Sequence, residues 1–417
     1  MINSSIERAN PRTTGDHRTS DAAISIWRMV LLATACGLVV ANVYYSQPIA
    51  GLIAASLGLA PAKTGLIVAL TQAGFGAGLL LIVPLGDLIE NRRLVLVLIG
   101  VCAVALFGSA LSTRPLPYLA SALLVGFGSV AVQVLIPYTA HMAPEAIRGR
   151  VVGNVMSGVM IGILLARPAS SFLTQLVSWH MVFYISTGSM LALALGLRVG
   201  MPKRLPVAGV AYGALLKSMA HLGRRTRVLQ RRALYQACLY GAFSLFWTTV
   251  PLLLTGPTFH MTQNGVALFA LAGCAGAIAA PVAGRVADKG WTRPATAFAI
   301  FAVAAAFLVA RFAAGGSRVD IALLVGAAIL LDFGMTANLT LGQRAIFVLG
   351  AEYTGRFNGL YMSVFFVGGA IGSAVGGWAF AAAGWVFASW IGFAFPIVAL
   401  LFFLTEWRRT SAESSSR

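Results

Sequence analysis

The chain alternates long apolar runs with short polar breaks. Twelve such runs cover about 27–56, 64–86, 94–112, 117–140, 151–176, 181–200, 233–255, 262–287, 294–314, 319–343, 356–381 and 385–406. Each is close to or above the roughly 20 residues that a helix needs to cross bilayer hydrocarbon. Lipid offers no partner to an open strand edge, so every run is expected to be a helix. The pattern predicts an all-α membrane protein of twelve transmembrane helices. They fall into one six-helix bundle over 27–200 and a second over 233–406, joined by a basic cytoplasmic linker over 201–232. Residues 1–26 are expected to be a disordered cytoplasmic N-terminus, retained because no short apolar core with a cleavage site precedes the first run, and 407–417 a cytoplasmic tail.

The two bundles read as one unit written twice. The second run ends in a charged turn from Val83 to Arg93 containing Asp87, and 201 residues later the eighth ends in Gly284, Arg285, Ala287, Asp288 and Lys289. Gly149 and Arg150 open a run containing Gly153, Met156, Ser157 and Gly162. Gly355 and Arg356 open one containing Gly359, Met362, Ser363 and Gly368, at a constant offset of 206. Tyr44 and Pro48 correspond likewise to Trp247 and Pro251. Parallel repeats of this kind suit a secondary transporter with a central site near mid-depth.

Composition changes the picture in one respect. With 59% apolar and 10% charged residues, the chain cannot hide its apolar surface in water. The net charge of +18 does not point to nucleic acid, because the basic residues sit between runs rather than along one face. It points to topology. With the N-terminus inside, all but five of the 30 Lys and Arg residues lie on the cytoplasmic side; Lys63, Arg114, Arg311 and Arg318 lie outside and Arg167 lies within a run. The linker spaces Leu215, Leu216, Met219 and Leu222 helically among basic residues, as an interfacial helix does. Cys36, Cys102, Cys238 and Cys274 sit singly in separate runs and the five histidines share no ligand spacing, so neither a metal centre nor another cofactor is expected. No Gly-x-Ser-x-Gly turn, Walker loop or His/Glu metal pair argues for an enzyme.

The six-plus-six arrangement, the basic central loop and the Asp-plus-basic turns resemble the major facilitator superfamily of secondary transporters. Leu85, Asp87, Arg92 and Arg93 match that family's turn after the second helix, with Val83 and Glu90 in place of its two glycines; Gly284, Ala287, Asp288 and Lys289 match in the second copy. The resemblance implies a gating role for Asp87, Arg92, Arg93, Asp288, Lys289 and Arg293, and for Gly158 and Gly162 in the fifth run. An aspartate at a helix end beside arginines can bond a neighbouring helix terminus across the cytoplasmic seam and so latch one access state. A plain positive-inside turn is the rival reading. Gly158 and Gly162 match part of the antiporters' fifth-helix motif, whose Pro and final Gly pair are missing here. The segments around Asn42 to Pro48 and Asp332 to Arg344 look like a bacterial subgroup described as predicted efflux permeases for sugars or drugs.

Charge inside a run marks the candidate chemistry, since an Asp or Arg at mid-membrane costs about 2.5–3.5 kcal/mol on insertion scales. Asp332 lies 12 residues from Arg344, about 18 Å in at the helical rise. Proton coupling, a structural ion pair and direct binding of a cationic solute all fit it. Arg167 lies 17 residues from Arg150, about 25 Å in. It can snorkel outward or approach Asp332 across the halves, a depth difference of about 8 Å that its long side chain can bridge. Tyr240, Ser244, Trp247, Thr248 and Pro251 form one face of the seventh run. Asn42 and Tyr45 share one side of the first run and Tyr44, Gln47 and Pro48 another, with a kink expected at the proline. Gln72, Gln133, Thr336 and Gln343 complete the expected lining, while Asn338 falls off the Asp332 face. Such a lining suits a small, uncharged or weakly charged molecule, with interhelical hydrogen bonding the rival role for each residue.

The expectation is therefore a proton-coupled secondary transporter of the bacterial inner membrane. It would act as a monomer in the lipid bilayer and export a small-molecule substrate by alternating access, with proton-coupled uptake as the alternative.

Overall fold

The computed structural model describes residues 25–204, 211–350 and 353–415, so the expected N-terminal segment lies outside the description up to residue 24. The spanning helices are α1 (Ile26–Ala41, continued after a turn by Ala50–Ser56), α2 (Pro61–Asp87), α3 (Asn91–Leu111), α4 (Pro115–Met142), α5 (Glu145–Leu176) and α6 (Trp179–Gly200). A linker helix α7 (Tyr212–Arg225) leads to α8 (Arg227–Thr255), α9 (Gln263–Asp288), α10 (Thr292–Arg311) and α11 (Arg318–Phe347). The last helical stretch, Thr354–Ser415, breaks at Ala383 and Gly384 into α12 (354–382) and α13 (385–415). Gly384 makes that reversal at φ 71°, a region open to glycine.

Helix ends follow their sequence signals. Pro61 and Pro115 open α2 and α4, where a missing N–H costs nothing. Ser317 and Asp320 form a reciprocal capping box at the start of α11. The expected kink near Pro48 is a full interruption: α1 unwinds over residues 42–49 and re-forms at Ala50. A second interruption, unmarked in the sequence, is the 3₁₀ segment Leu271–Ala275 within α9. Helix α8 starts at Arg227 rather than 233 and α13 runs to Ser415 rather than 406, because helices continue past the lipid boundary that hydropathy marks.

Each bundle repeats the same pairings. In the first, α1 packs on α5, α2 on α4 and α3 on α6; in the second, α8 packs on α12, α9 on α11 and α10 on α13. Small residues allow the closest seams. Gly158 and Gly162 lie against the backbone of Ala33 and Gly37, and Gly368 and Gly372 against that of Ala237 and Gly241. The outer faces carry exposed apolar side chains such as Val104 (75%), Leu195 (68%) and Phe301 (64%), a surface suited to lipid rather than water.

Between the bundles, α2 packs along α12, with Gly65 against Ser373 and Gly377 near the face opposite the basic loops. On that same face α5 meets α9 over Gln263–Ala275, and Gln175 accepts a bond from the Gln263 N–H at 3.0 Å. The basic-face half of α9, Gly276–Asp288, packs instead on α10 and α11 of its own bundle. Helix α7 bridges the bundles on the basic face: Tyr212 donates to the Leu81 carbonyl at 2.8 Å, and Arg356 of α12 donates to Ser218 at 3.0 Å.

Candidate functional site

The site forms where α1 unwinds. Freed from helical register, Gln47 turns its amide oxygen onto Arg167 of α5, which donates through Nε at 2.8 Å. Aromatic rings enclose the guanidinium, whose central carbon lies 4.5 Å from the Trp247 ring centroid, 5.1 Å from Phe243 and 5.2 Å from Tyr44. Such faces favour a cation without neutralising it. Arg167 is 3% exposed, so it does not snorkel to the interface.

Asp332 of α11, 4% exposed, faces the same place from the other bundle. Gly273, in the 3₁₀ break of α9, leaves the notch between them. The point where a Cβ would stand lies 3.1 Å from Asp332 Oδ2, 3.2 Å from Trp247 Cζ2 and 3.5 Å from Arg167 Nη1. Among the described residues the two charges make no ion pair with each other or with another group. The carboxylate also lies beside the Trp247 indole, yet neither Asp332 Oδ2 nor Trp247 Nε1 has a hydrogen bond of good geometry.

A polar seam flanks this junction. Tyr44 and Tyr240 hydroxyls meet at 3.4 Å, and Gln72 of α2 donates to Ser244 of α8 at 2.6 Å. Ser244 and Thr248 both reach Ser373 of α12, at 2.7 and 3.1 Å. Tyr240 stacks on Phe365 with centroids 3.6 Å apart. Thr336, one turn from Asp332, faces α9 at Gly276.

Several expected lining residues lie elsewhere. Asn42 points into the first bundle, where it accepts from Ser186 and donates to Met190 at 3.5 Å; the unwinding of α1 begins at this residue. Tyr45 lines an apolar groove of ≈ 480 Å³ beside the α1–α5 seam, together with Gly158 and Gly162. Those glycines pack α5 closely against α1 within the first bundle. Gln343 bonds Asn358 at 3.2 Å near the basic end, away from the Arg167 junction. Gln133 is half-buried on α4 and has no side-chain hydrogen bond among the described residues. Asn338, expected off the Asp332 face, bonds Gln236 at 2.7 Å inside its own bundle. Phe243, Gly273 and Ser373 were not anticipated. Phe243 shares the helical face of Tyr240 and Trp247 and was legible there; Gly273 and Ser373 carry no local signal.

The chain matches known proteins over most of its length. A family model described as Major Facilitator Superfamily matches residues 31–341 and 232–417. The chain belongs to the Major Facilitator Superfamily. Being a Major Facilitator, it is a multi-pass membrane transporter of a small molecule and not an enzyme. An uncharacterized transporter of Escherichia coli O157:H7, YgaY, is 34% identical over 398 residues, covering 95% of this chain and 98% of that protein. A chloramphenicol efflux pump of Mycobacterium tuberculosis (strain H37Rv) is 24% identical over 253 residues, 58% of this chain and 59% of the pump. The crystal structure of a mutant nucleoside transporter, NupG, superposes with a TM-score of 0.73 at 15% identity, covering 91% of this chain and 99% of that one.

The Major Facilitator turns are arranged differently from the expected cross-seam latch. Asp288 pairs with Arg344 of α11, which also donates to the Gly284 carbonyl at 3.0 Å, so its partner belongs to its own bundle and is neither Lys289 nor Arg293. Asp87 is exposed and has no ion-pair partner among the described residues. Arg92 approaches Glu90 at 3.7 Å and donates to the Arg198 and Met201 carbonyls at the end of α6, while Arg93, Lys289 and Arg293 are exposed. The physical reason is reach: Arg344 of α11 stands beside the Gly284 turn of its own bundle, and the end of α6 stands beside Arg92.

Proposed function

We propose that this Major Facilitator protein is a proton-coupled carrier that exports a small organic solute across the bacterial inner membrane, acting as a monomer with both termini in the cytoplasm. The observation that carries the reading is the Arg167–Asp332 junction: opposite charges, one from each bundle, buried side by side and unpaired. Rocking the bundles changes their separation, and a proton on Asp332 removes their attraction, so protonation and access state bias one another. Lys and Arg placement supports the orientation, which makes the face where Gln175 meets Gln263 the periplasmic one. Relation to a mycobacterial efflux pump supports export. The test is solute-driven proton movement in proteoliposomes containing a pH-sensitive dye. Wild type should couple the two fluxes and Asp332→Asn should move solute without protons; equal proton flux in both would sink the proposal.

A further inference from the structure

Arg167, Gln47, Trp247 and Asp332 are each more than nine-tenths buried. Each ends in an atom without a hydrogen bond of good geometry among the described residues: Arg167 Nη2, Gln47 Nε2, Trp247 Nε1 and Asp332 Oδ2, the last two lying beside each other. Three of these atoms donate and one accepts. Leaving so many buried donors unsatisfied is costly unless something with acceptor oxygens completes them.

We infer that these three donors recognise a carboxylate on the transported solute, which occupies Arg167 while Asp332 carries a proton. Charge balance selects this chemistry. Empty, the junction holds one guanidinium and one carboxylate; loaded, it holds the guanidinium, the solute's carboxylate and a neutral Asp332. The buried site is electrically neutral both times, so either form crosses the low-dielectric centre without an uncompensated charge. A doubly charged phosphate ester would leave one negative charge in excess, and a cationic solute would be placed against Arg167. The rings of Tyr44, Phe243 and Trp247 hold the guanidinium in place while leaving its charge available to the solute.

Among the described residues no other acid competes for Arg167. The remaining titratable groups around the pair are the phenols of Tyr44 from α1 and Tyr240 from α8, and the Cys274 thiol from α9. Helix α10 meets α11 at this level through Ala299 and Val303, and α12 meets it nearer the basic end through Tyr361.

This inference rests on the carrier reading and sets its sign. Proton and anion move in the same direction, so export is release of an organic acid down its own gradient rather than proton antiport.

The test is calorimetric titration of the detergent-solubilised full chain with lactate, gluconate and benzoate, each against its neutral amide, at several pH values between 8 and 5. At least one acid should bind, at least tenfold more tightly than its amide, with affinity rising as pH falls, by at most about tenfold per unit, until Asp332 is protonated in the free protein as well. Arg167→Gln should abolish binding of the acid. Asp332→Asn, which resembles the protonated side chain, should bind it with the pH dependence lost; this comparison decides the matter if Arg167→Gln does not fold. Amides binding as tightly as acids, pH dependence surviving in Asp332→Asn, or no acid binding at all would overturn the inference. Counterflow of radiolabelled solutes in proteoliposomes separates the two proposals. Exchange of neutral or cationic solutes without carboxylates removes the anion site and leaves the carrier, whereas no exchange of any solute removes the carrier itself.

Discussion

Arg167 and Asp332 reach the same point beside the Gly273 backbone from opposite bundles, within 3.5 and 3.1 Å of it, and do not pair. Gly273 is what keeps that point open. Gly273→Ala would place a methyl carbon in tight contact with Asp332 and Trp247 and in ordinary contact with Arg167, at an overpacking cost of about 1–3 kcal/mol if nothing yields. Counterflow should fall about tenfold or more, since about 1.4 kcal/mol corresponds to a factor of ten, and Tm in detergent should drop modestly with the overpacking. A wild-type rate in this variant would mean that the notch is not part of the path.

Gln47 supplies the hydrogen bond that orients the guanidinium. Gln47→Leu removes a bond to a charged group and is expected to cost about 1.5–3 kcal/mol, read as a lowered Tm. Gln47→Glu keeps an acceptor and adds a fixed anion beside Arg167. It should restore Tm while suppressing transport, a split that a purely structural glutamine would not produce.

The repeated helix pairing predicts symmetric sensitivity. Gly162→Leu drives a side chain into the Gly37 backbone, and Gly372→Leu does the same at Gly241. Both should lose folded yield in detergent by size-exclusion chromatography to a similar extent, whereas Gly153→Leu, with open space around it, should not.

The Gln175–Gln263 contact joins the bundles on the face opposite the basic loops. Paired cysteines at these positions in a cysteine-free background, bridged by a short bismaleimide, should hold this face shut and stop counterflow. Continued exchange after complete bridging would show that the face need not open during transport.

Legibility differed by residue. The twelve runs, the duplicated Asp87 and Asp288 turns and the face shared by Tyr240, Ser244, Trp247 and Thr248 were readable because each depends on neighbours within a few turns of one helix. Asn42 and Tyr44 are not separable from sequence in the same way: they lie on an interruption longer than a single proline implies, and unwinding sends one side chain into the first bundle and the other to the Arg167 junction. Asp288 is legible as the charge of a turn, but its partner Arg344 lies 56 residues away on a helix that packing alone brings near. Gly273 was invisible, since a glycine in an apolar run looks the same whether or not two buried charges converge on it.

Sequence alone was enough to determine the solvent of this protein, and with it the helices, their number, their doubling and the family. Lipid imposes length, periodicity and flanking charge on every span independently, and those constraints are written locally. Which buried groups meet, which turns find a partner and which face is shut were decided by tertiary structure, because each depends on side chains from helices far apart in the chain and on the angle at which two packed bundles come to rest.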